Sequence, residues 1–351
     1  MIENESSADV DAIVDLYIPE PAASANHKDF LPGSRGAYFH DGTAVRKMVA
    51  EDPHLSVWVD RLHSEIGMVH GDRIDFTAEY GGRRFRVHRE ETTEGWLNTL
   101  RRLPSVCPVL EDLSFTNEAI RDFLMLPTFN QGGLILLAAL NGQGKTTVAG
   151  ATIKSRLMKF HGQGFSLEDP AEMPLAGFHG GGTFRQTEVK NGDWAGAMAK
   201  FGRLLPATRP AILYIGEVRE TQCAAETIKL ALAGALVIAT IHSESPISAL
   251  GRMVSMAENH LGDSAAMMLA QALRVVMHQK LVLSPTGRGW ERGQISASVL
   301  YSSSESSPVA AALRDKRFEQ MKSTLSQQST LFSLHKPDAP QSELLRKLSA
   351  T

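Results

Sequence analysis

Apolar runs and helical patterns alternate along the middle of the chain. Residues 134–140 form a continuous apolar run, which predicts a buried strand, and a helical pattern follows it. Further predicted strands lie at residues 165–169, 211–215 and 235–239, and the last two are continuous apolar runs. Strands that alternate with helices in this way are typical of a mostly parallel sheet covered by helices. We therefore predict an α/β domain over residues 116–300.

The two ends of the chain follow different patterns. Residues 74–80 and 84–87 alternate apolar and polar positions on either side of a glycine pair, which predicts a β-hairpin. We expect this hairpin to belong to a small α+β domain over residues 1–115. A serine-rich polar stretch opens residues 301–351, which predicts a linker followed by a helical tail.

The composition is that of an ordinary soluble globular protein. Hydrophobic residues make up 43% of the chain, and 36 basic against 39 acidic residues leave a net charge of -3, so bulk charge does not indicate a nucleic-acid binder. The two cysteines, Cys107 and Cys223, form no CxxC motif, which argues against a zinc site or a disulfide framework and favours a reducing cytoplasm. The apolar runs are shorter than the roughly 20 residues that cross a bilayer, so any membrane association is expected to be peripheral.

The strongest chemical signal follows the strand at residues 134–140. A glycine-containing loop leads into Lys145-Thr146-Thr147, which open the next helix. The backbone N–H groups of such a loop wrap a β-phosphate, Lys145 reaches the β- and γ-phosphates, and the Thr146 hydroxyl binds Mg²⁺. Only the first glycine of the phosphate-loop pattern is missing, because Ala139 takes its place. The residues predicted to bind ATP here are Asn141, Gly142, Gln143, Gly144, Lys145, Thr146 and Thr147.

Other predicted strands end in polar side chains. Glu217 follows the strand at residues 211–215, where it would face the γ-phosphate, since ligands bind at the carboxyl edge of a parallel sheet. Hydrolysis needs such a carboxylate to orient and deprotonate water. Glu168 and Asp169 end another strand, and His242, which could sense the γ-phosphate or relay a proton, follows a third. Taken singly, each of these side chains could equally be an ordinary turn, surface or structural residue.

Together, these segments resemble the motifs of the type II/type IV secretion ATPase superfamily. GQGKTT resembles its Walker A motif, LEDP its acidic Asp box, GEVRE its Walker B motif and TIHS its His box, in the same order. The resemblance covers roughly residues 70–300. Within the superfamily the chain is most similar to the pilus-retraction branch and to the ATPases of type IVB secretion and conjugation.

The resemblance implies a RecA-like P-loop NTPase domain behind a smaller PAS-like α+β domain, and a homohexamer that hydrolyses ATP with Mg²⁺. It implies that Glu217 is the general base and that Glu168 and Asp169 act on Mg²⁺ and water. His242 would couple the nucleotide to a neighbouring element. The implied metal set is Thr146, Glu168 and Asp169. The N-terminal arginines that match family arginines reaching toward the phosphates are Arg84, Arg86 and Arg101.

The chain also departs from the retraction branch. Glu94 stands where that branch has an arginine, residues 206–210 differ from its segment before Walker B, and Ala310 and Ala311 replace an Arg-Asn pair. These departures favour a hexameric ATPase that powers a type IVB or conjugative secretion system, in the cytoplasm and peripheral to the inner membrane. A pilus-retraction motor is the alternative.

Two further hypotheses come from other functional classes. RecA-like rings also move nucleic acid, but a strongly basic strip with interleaved aromatic residues is missing, and aromatic residues make up 7% of the chain. The other hypothesis is a nucleotide-gated assembly scaffold with little turnover, which Ala139 and Glu94 support.

Overall fold

The computed structural model divides the chain into two units. The first comprises Met1–Ser105 with Pro170–Glu172, and the second comprises Val106–Asp169 with Met173–Thr351. Glu94 and residues 206–209 lie outside the described residues. The structure describes residues 13–21, 37–40, 45–47, 53–70, 73–93, 95–190, 193–201, 210–286, 289–336 and 339–351.

An antiparallel sheet with a helix against it forms the first unit. Its strands lie in the order β3-β2-β1-β6-β5-β4 and neighbours run antiparallel. Trp58 and Leu62 of the helix share a core with Phe76 and Phe85 of the sheet. The predicted hairpin is confirmed as β4 and β5. The elements are β1 (Asp15–Pro21), β2 (Tyr38–His40), β3 (Val45–Lys47), α1 (Pro53–His70), β4 (Asp75–Tyr80), β5 (Arg83–Thr92) and β6 (Gly95–Leu103).

The second unit is built on an eight-stranded sheet in the order β14-β13-β7-β12-β11-β8-β10-β9. The neighbours from β13 to β10 run parallel, and β14 and β9 are antiparallel edge strands. The strands are β7 (Gly133–Ala139), β8 (Gly162–Glu168), β9 (Gly177–His179), β10 (Gly182–Glu188), β11 (Ala211–Ile215), β12 (Leu236–His242), β13 (Leu273–Thr286) and β14 (Gly289–Tyr301). The helices are α2 (Glu118–Phe123), α3 (Lys145–Phe160), α4 (Trp194–Phe201), α5 (Thr221–Leu232), α6 (Pro246–Leu261), α7 (Ser264–Ala272), α8 (Pro308–Arg314), α9 (Met321–Leu334) and α10 (Gln341–Ser349), with 3₁₀ turns at Leu110–Asp112, Pro127–Gln131 and Phe318–Gln320.

Apolar side chains cover both faces of this sheet. In β7, Leu134 and Leu136 belong to one buried cluster, whereas Ile135 and Leu137 belong to the other. Because a strand sends successive side chains to opposite faces, a strand buried on both sides has no polar positions. This explains the continuous apolar run, which the structure ends at Ala139, one residue earlier than predicted.

The second unit takes in more of the chain than the predicted middle domain. Leu110 and Phe115, which the sequence assigned to the N-terminal domain, lie in the core of the second unit. The serines after residue 301 are not a free linker, because the hydroxyls of Ser302 and Ser307 lie 2.9 Å apart and the Ser307 hydroxyl accepts the N–H of Ala310 to cap α8. Helices α8, α9 and α10 place buried side chains in the same core as the sheet.

Among the described residues, no helix combines the length and the apolar character that a membrane span requires.

Candidate nucleotide-binding site

Neighbouring parallel strands bring the predicted polar residues to one edge of the sheet. In the sheet order β7-β12-β11-β8, the strands end at Ala139, His242, Ile215 and Glu168. Parallel strands place their carboxyl ends at the same edge, where α/β proteins bind ligands. The phosphate-loop, His-box, Walker B and Asp-box segments therefore lie side by side.

The loop between β7 and α3 has the backbone of a phosphate cradle. Gly142 and Gly144 have φ angles of +72° and +76°, a left-handed conformation that favours glycine. Gly144 is the N-cap of α3, and no side chain of the described residues caps that helix. The N–H groups of its first turn, in Lys145, Thr146 and Thr147, are thus oriented to receive an anion. Asn141 and Gly142 are exposed, whereas Gln143, Gly144, Thr146 and Thr147 are partly buried.

Lys145 lies at the centre of a charged cluster. The side chain is 8% exposed, and Nζ donates to the Leu140 carbonyl at 3.2 Å. The same Nζ lies 3.4 Å from Nε2 and 3.5 Å from Nδ1 of His242. His242 Nε2 in turn lies 2.9 Å from Oε1 of Glu217. The structure therefore brings together the predicted phosphate lysine, His-box histidine and Walker B glutamate.

Hydrogen bonds from both neighbouring strands hold the backbone around Glu217. The N–H of Gly216 donates to the Leu167 carbonyl at 2.9 Å, and the N–H of Val218 donates to the Thr240 carbonyl at 2.8 Å. The Thr240 hydroxyl also donates to the Gly216 carbonyl at 2.5 Å. The segment that carries Glu217 is thus anchored between β8 and β12, which holds its carboxylate at the sheet edge.

The other carboxylate oxygen of Glu217, Oε2, accepts a hydrogen bond. Arg219 Nε donates to Glu217 Oε2 at 2.6 Å, and this arginine is about half exposed. Arg252 donates to the main-chain carbonyl of His242 at 3.1 Å. Burial lowers the pKa of His242, and the positive charges of Lys145, Arg219 and Arg252 lower it further against the opposing effect of Glu217. His242 is therefore a neutral imidazole near pH 7.

Glu168, the last residue of β8, is buried. It is 1% exposed, and its Oε1 accepts from the Ser166 hydroxyl at 2.5 Å and from Gln186 Nε2 at 2.8 Å. Asp169, the next residue, is partly buried. Of the predicted pair, the Glu168 carboxylate is thus held by protein donors, and the Asp169 carboxylate has greater access to solvent.

The residues at this edge suit the Mg²⁺ ion that accompanies a nucleotide. Mg²⁺ prefers oxygen ligands and needs only one or two from the protein when phosphates supply the others. The Thr146 hydroxyl in the first turn of α3 and the Asp169 carboxylate at the end of β8 fit that requirement. Within the described residues, no group of three or more histidine, cysteine or acidic side chains forms an all-protein metal site.

The predicted arginines belong to the first unit, and each has partners there. Arg84 donates to the main-chain carbonyls of Ala171 and Glu172 at 3.1 and 2.9 Å. Arg86 forms ion pairs with the carboxylates of Asp75 and Glu172, both at 3.0 Å. Arg101 pairs with Asp15 at 2.9 Å and is mostly exposed. Contact of these arginines with phosphates stays a prediction.

Sequence reasoning did not single out the residues of β13 that contact the loop. Gln279 donates to the Gln143 carbonyl at 2.7 Å, and the N–H of Leu281 donates to Gln143 Oε1 at 2.8 Å. These contacts depend on β13 pairing with β7, which lies far away in the sequence. The only available signal was the resemblance of residues 271–282 to the superfamily.

Comparison with known proteins places the whole arrangement in a family. The family described as "Type II/IV secretion system protein" matches residues 70–324. The uncharacterized protein YggR of Escherichia coli (strain K12) is 30% identical over 234 residues, which cover 65% of this chain and 67% of YggR. The type IV pilus ATPase PilU of Pseudomonas aeruginosa is 29% identical over 190 residues, which cover 54% of this chain and 47% of PilU.

A solved structure shows the same fold. The X-ray structure of the Legionella pneumophila ATPase DotB has a TM-score of 0.64 and 18% sequence identity, and the match covers 91% of this chain and 85% of DotB. The predicted fold class, a RecA-like domain with a smaller α+β N-terminal domain, is confirmed. Because the family match covers more than half of its length, the chain belongs to the type II/IV secretion system protein family, a family of P-loop ATPases.

Proposed function

We propose that this chain hydrolyses ATP as a subunit of a hexameric motor that powers a type IVB or conjugative secretion system at the inner membrane. The observation that carries the catalytic part is the cluster of Lys145, His242 and Glu217 at the carboxyl edge of the parallel sheet. Family membership and the kinship with PilU and DotB support the motor role.

The loop and Lys145 are proposed to bind the triphosphate. The N–H groups at the start of α3 would donate to phosphate oxygens, and Lys145 would exchange the Leu140 carbonyl for the phosphates. Thr146 and Asp169 would hold Mg²⁺, which when bound neutralises charge on the phosphate oxygens. Asn141, Gly142, Gln143, Gly144 and Thr147 complete the cradle.

Glu217 is proposed to act as the general base. The attacking water gives a proton to the Glu217 carboxylate while its oxygen bonds to the γ-phosphorus. The bond between that phosphorus and the bridging oxygen breaks, so that ADP and inorganic phosphate leave. A neutral His242 lies 2.9 Å from Glu217 and 3.4 Å from Lys145, so it links the base to the phosphate-binding lysine. Glu168, held by Ser166 and Gln186, would position the Asp169 segment.

Substitution of Lys145 tests nucleotide hydrolysis. We expect Lys145→Ala to lower the rate of phosphate release by at least about 100-fold, because it removes the cation that stabilises charge on the phosphates. Lys159→Ala, at the exposed far end of the same helix, is the matched control and should retain the wild-type rate. Equal rates in Lys145→Ala and the wild type would refute the proposed chemistry.

The molar mass of the protein in solution tests the proposed hexamer. Light scattering on the purified chain, with and without a nonhydrolysable ATP analogue, should give the mass of six chains in at least one condition. A monomer or dimer in both conditions would contradict the hexamer and leave the hydrolysis proposal standing.

Pilus retraction is the second candidate, and two observations favour it. PilU is a type IV pilus ATPase, and residues 312–317 (ALRDKR) resemble the C-terminal helix of the retraction branch. Deletion of the gene distinguishes the candidates in the organism that encodes it. Loss of protein secretion or DNA transfer with intact pilus retraction supports the first, and the reverse supports the second.

A further inference from the structure

Strand β13 extends beyond the strand that leads into the phosphate loop. The last pair in the parallel register of β13 and β7 joins His278 to Ala138, yet β13 continues to Thr286. Because parallel strands run in the same direction, the residues after His278 lie beside the loop that follows β7.

Two hydrogen bonds from this extension converge on one loop residue. Nε2 of Gln279 donates to the main-chain carbonyl of Gln143 at 2.7 Å. The main-chain N–H of Leu281 donates to the side-chain Oε1 of Gln143 at 2.8 Å. Both the backbone and the side chain of Gln143 are therefore tied to β13.

The bond from Gln279 sets the direction of a peptide group in the loop. In a trans peptide the carbonyl and the following N–H point in opposite directions. Since the Gln143 carbonyl points to Gln279, the N–H of Gly144 points away from it. Gly144 has a φ of +76° and caps α3, so this N–H stands at the entrance of the helix. A flipped peptide would present a carbonyl oxygen there, which repels an anion.

Burial of Gln279 indicates that its hydrogen bond to the Gln143 carbonyl does more than fill space in the core. The side chain is 0% exposed, and its Oε1 has no hydrogen-bond partner among the described residues. A buried acceptor without a partner destabilises the folded state, and an apolar residue of the same size would avoid that cost. The hydrogen bond that Gln279 Nε2 donates to the Gln143 carbonyl offsets this destabilisation.

We propose that Gln279 is a positioning residue for the phosphate loop, which orients the Gly144 N–H toward the phosphates through the Gln143 carbonyl. The proposal rests on the proposed ATP binding at this loop. Gln279 contacts no reacting atom and acts through Gln143, so its effect falls on nucleotide binding rather than on the chemical step.

Gln279→Met tests the proposal, because methionine matches glutamine in length but cannot donate. Binding of a nonhydrolysable ATP analogue with Mg²⁺ is measured by calorimetry. We expect the Kd of Gln279→Met to rise about tenfold, the effect of losing one well-formed hydrogen bond and the orientation that it holds. In steady-state hydrolysis KM should rise similarly, while kcat stays within about threefold of wild type, the signature of lost uniform binding.

Gln328→Met is the matched control, since it makes the same change at another buried glutamine. Gln328 is 1% exposed and exchanges two hydrogen bonds with the main chain of Tyr301, at 2.7 and 3.1 Å. This variant should unfold at a lower temperature and bind the analogue within about twofold of the wild type. Gln279→Met should show the opposite pair of effects, with weaker binding and an undiminished unfolding temperature.

The outcomes separate this proposal from the proposed function. If the wild type binds the analogue and Gln279→Met binds it equally well, Gln279 does not position the loop, while ATP binding stands. If the wild type binds no nucleotide, both proposals fall. If Gln279→Met does not fold, a structure of the wild type with the analogue decides: a Gln143 carbonyl turned toward the phosphates overturns the proposal, and a Gly144 N–H facing them supports it.

Discussion

Gly216, the residue before Glu217, offers the most informative perturbation of the sheet edge. A Cβ added at this position would lie 3.1 Å from Cγ, 3.2 Å from Cα and 3.3 Å from Cβ of Glu168. The glycine therefore lets the end of β11 pack directly against the end of β8. Since its φ lies outside the left-handed range, the effect of an alanine here is steric rather than conformational.

The expected magnitude of Gly216→Ala follows from these distances. Contacts of 3.1–3.3 Å are tight but not impossible, so the neighbours must shift by a few tenths of an ångström. Overpacking in cores costs about 1–3 kcal/mol, and these distances belong at the low end, about 1 kcal/mol. The shift falls on Glu168 and on the Glu217 segment, so we expect kcat to fall about tenfold, because small displacements of catalytic groups are costly.

The assay compares unfolding temperature and ATP turnover in two alanine variants. Gly251→Ala is the control, because Gly251 lies within α6 and an added Cβ would meet only Phe318 Cζ at 4.0 Å. Replacing a helical glycine by alanine should stabilise the protein by about 0.5–1 kcal/mol and leave kcat unchanged. The two variants should therefore move in opposite directions, with Gly216→Ala lowering the unfolding temperature by about 2 °C.

Wild-type turnover and stability in Gly216→Ala would refute the reasoning, because they would mean that the two strand ends do not pack as the structure shows. A loss of stability without a loss of turnover would show that Glu168 and Glu217 tolerate displacement and are not held in a catalytic geometry.

Three further outcomes follow from buried or partly buried groups. Arg156→Met should lower stability by about 2–3 kcal/mol in calorimetry, because this fully buried arginine donates to two main-chain carbonyls, which lose their donor. Burial lowers the pKa of His242, so this side chain takes up a proton when the chain unfolds at a pH below about 6.5. As the pH is lowered from about 7 to 5, the unfolding temperature should therefore fall more in the wild type than in His242→Asn. Burial raises the pKa of Cys107 to about 11 and of Cys223 to about 12, so neither thiol should react with a disulfide reagent at about pH 8 until the chain is denatured.

The features that sequence predicted best are those that local order determines. The strand before the phosphate loop, the glycine-containing loop itself and the helix that begins at Lys145 follow one another within a short stretch. The apolar run shows that β7 is buried on both faces, and the alternating run with a glycine pair identifies the β4–β5 hairpin. Strand order then explains why Glu217 and His242 meet, since parallel strands share an edge.

The features that sequence missed depend on contacts between distant segments. In the sequence, Gln279 is one of three consecutive polar residues with His278 and Lys280, and nothing marks it as a contact of the loop until β13 is paired with β7 and extended past it. The partners of Glu168 come from its own strand and from β10, and only the second requires the fold. The serines after Tyr301 look like a linker by composition, yet Ser307 caps α8 and Ser302 is buried. Composition does not reveal such hydrogen bonds.

The central claim is that Glu217 takes the proton from the water that attacks ATP bound at the loop, and single-turnover hydrolysis by Glu217→Gln tests it most directly. Glutamine keeps the shape but is no base, so we expect ATP to bind with wild-type affinity while cleavage slows by about 10²–10⁴-fold. Glu319→Gln makes the same change at an exposed glutamate in the 3₁₀ turn Phe318–Gln320, outside the candidate site, and should cleave at the wild-type rate. If Glu217→Gln cleaves bound ATP as fast as the wild type, Glu217 is not the base and the account of the site is wrong.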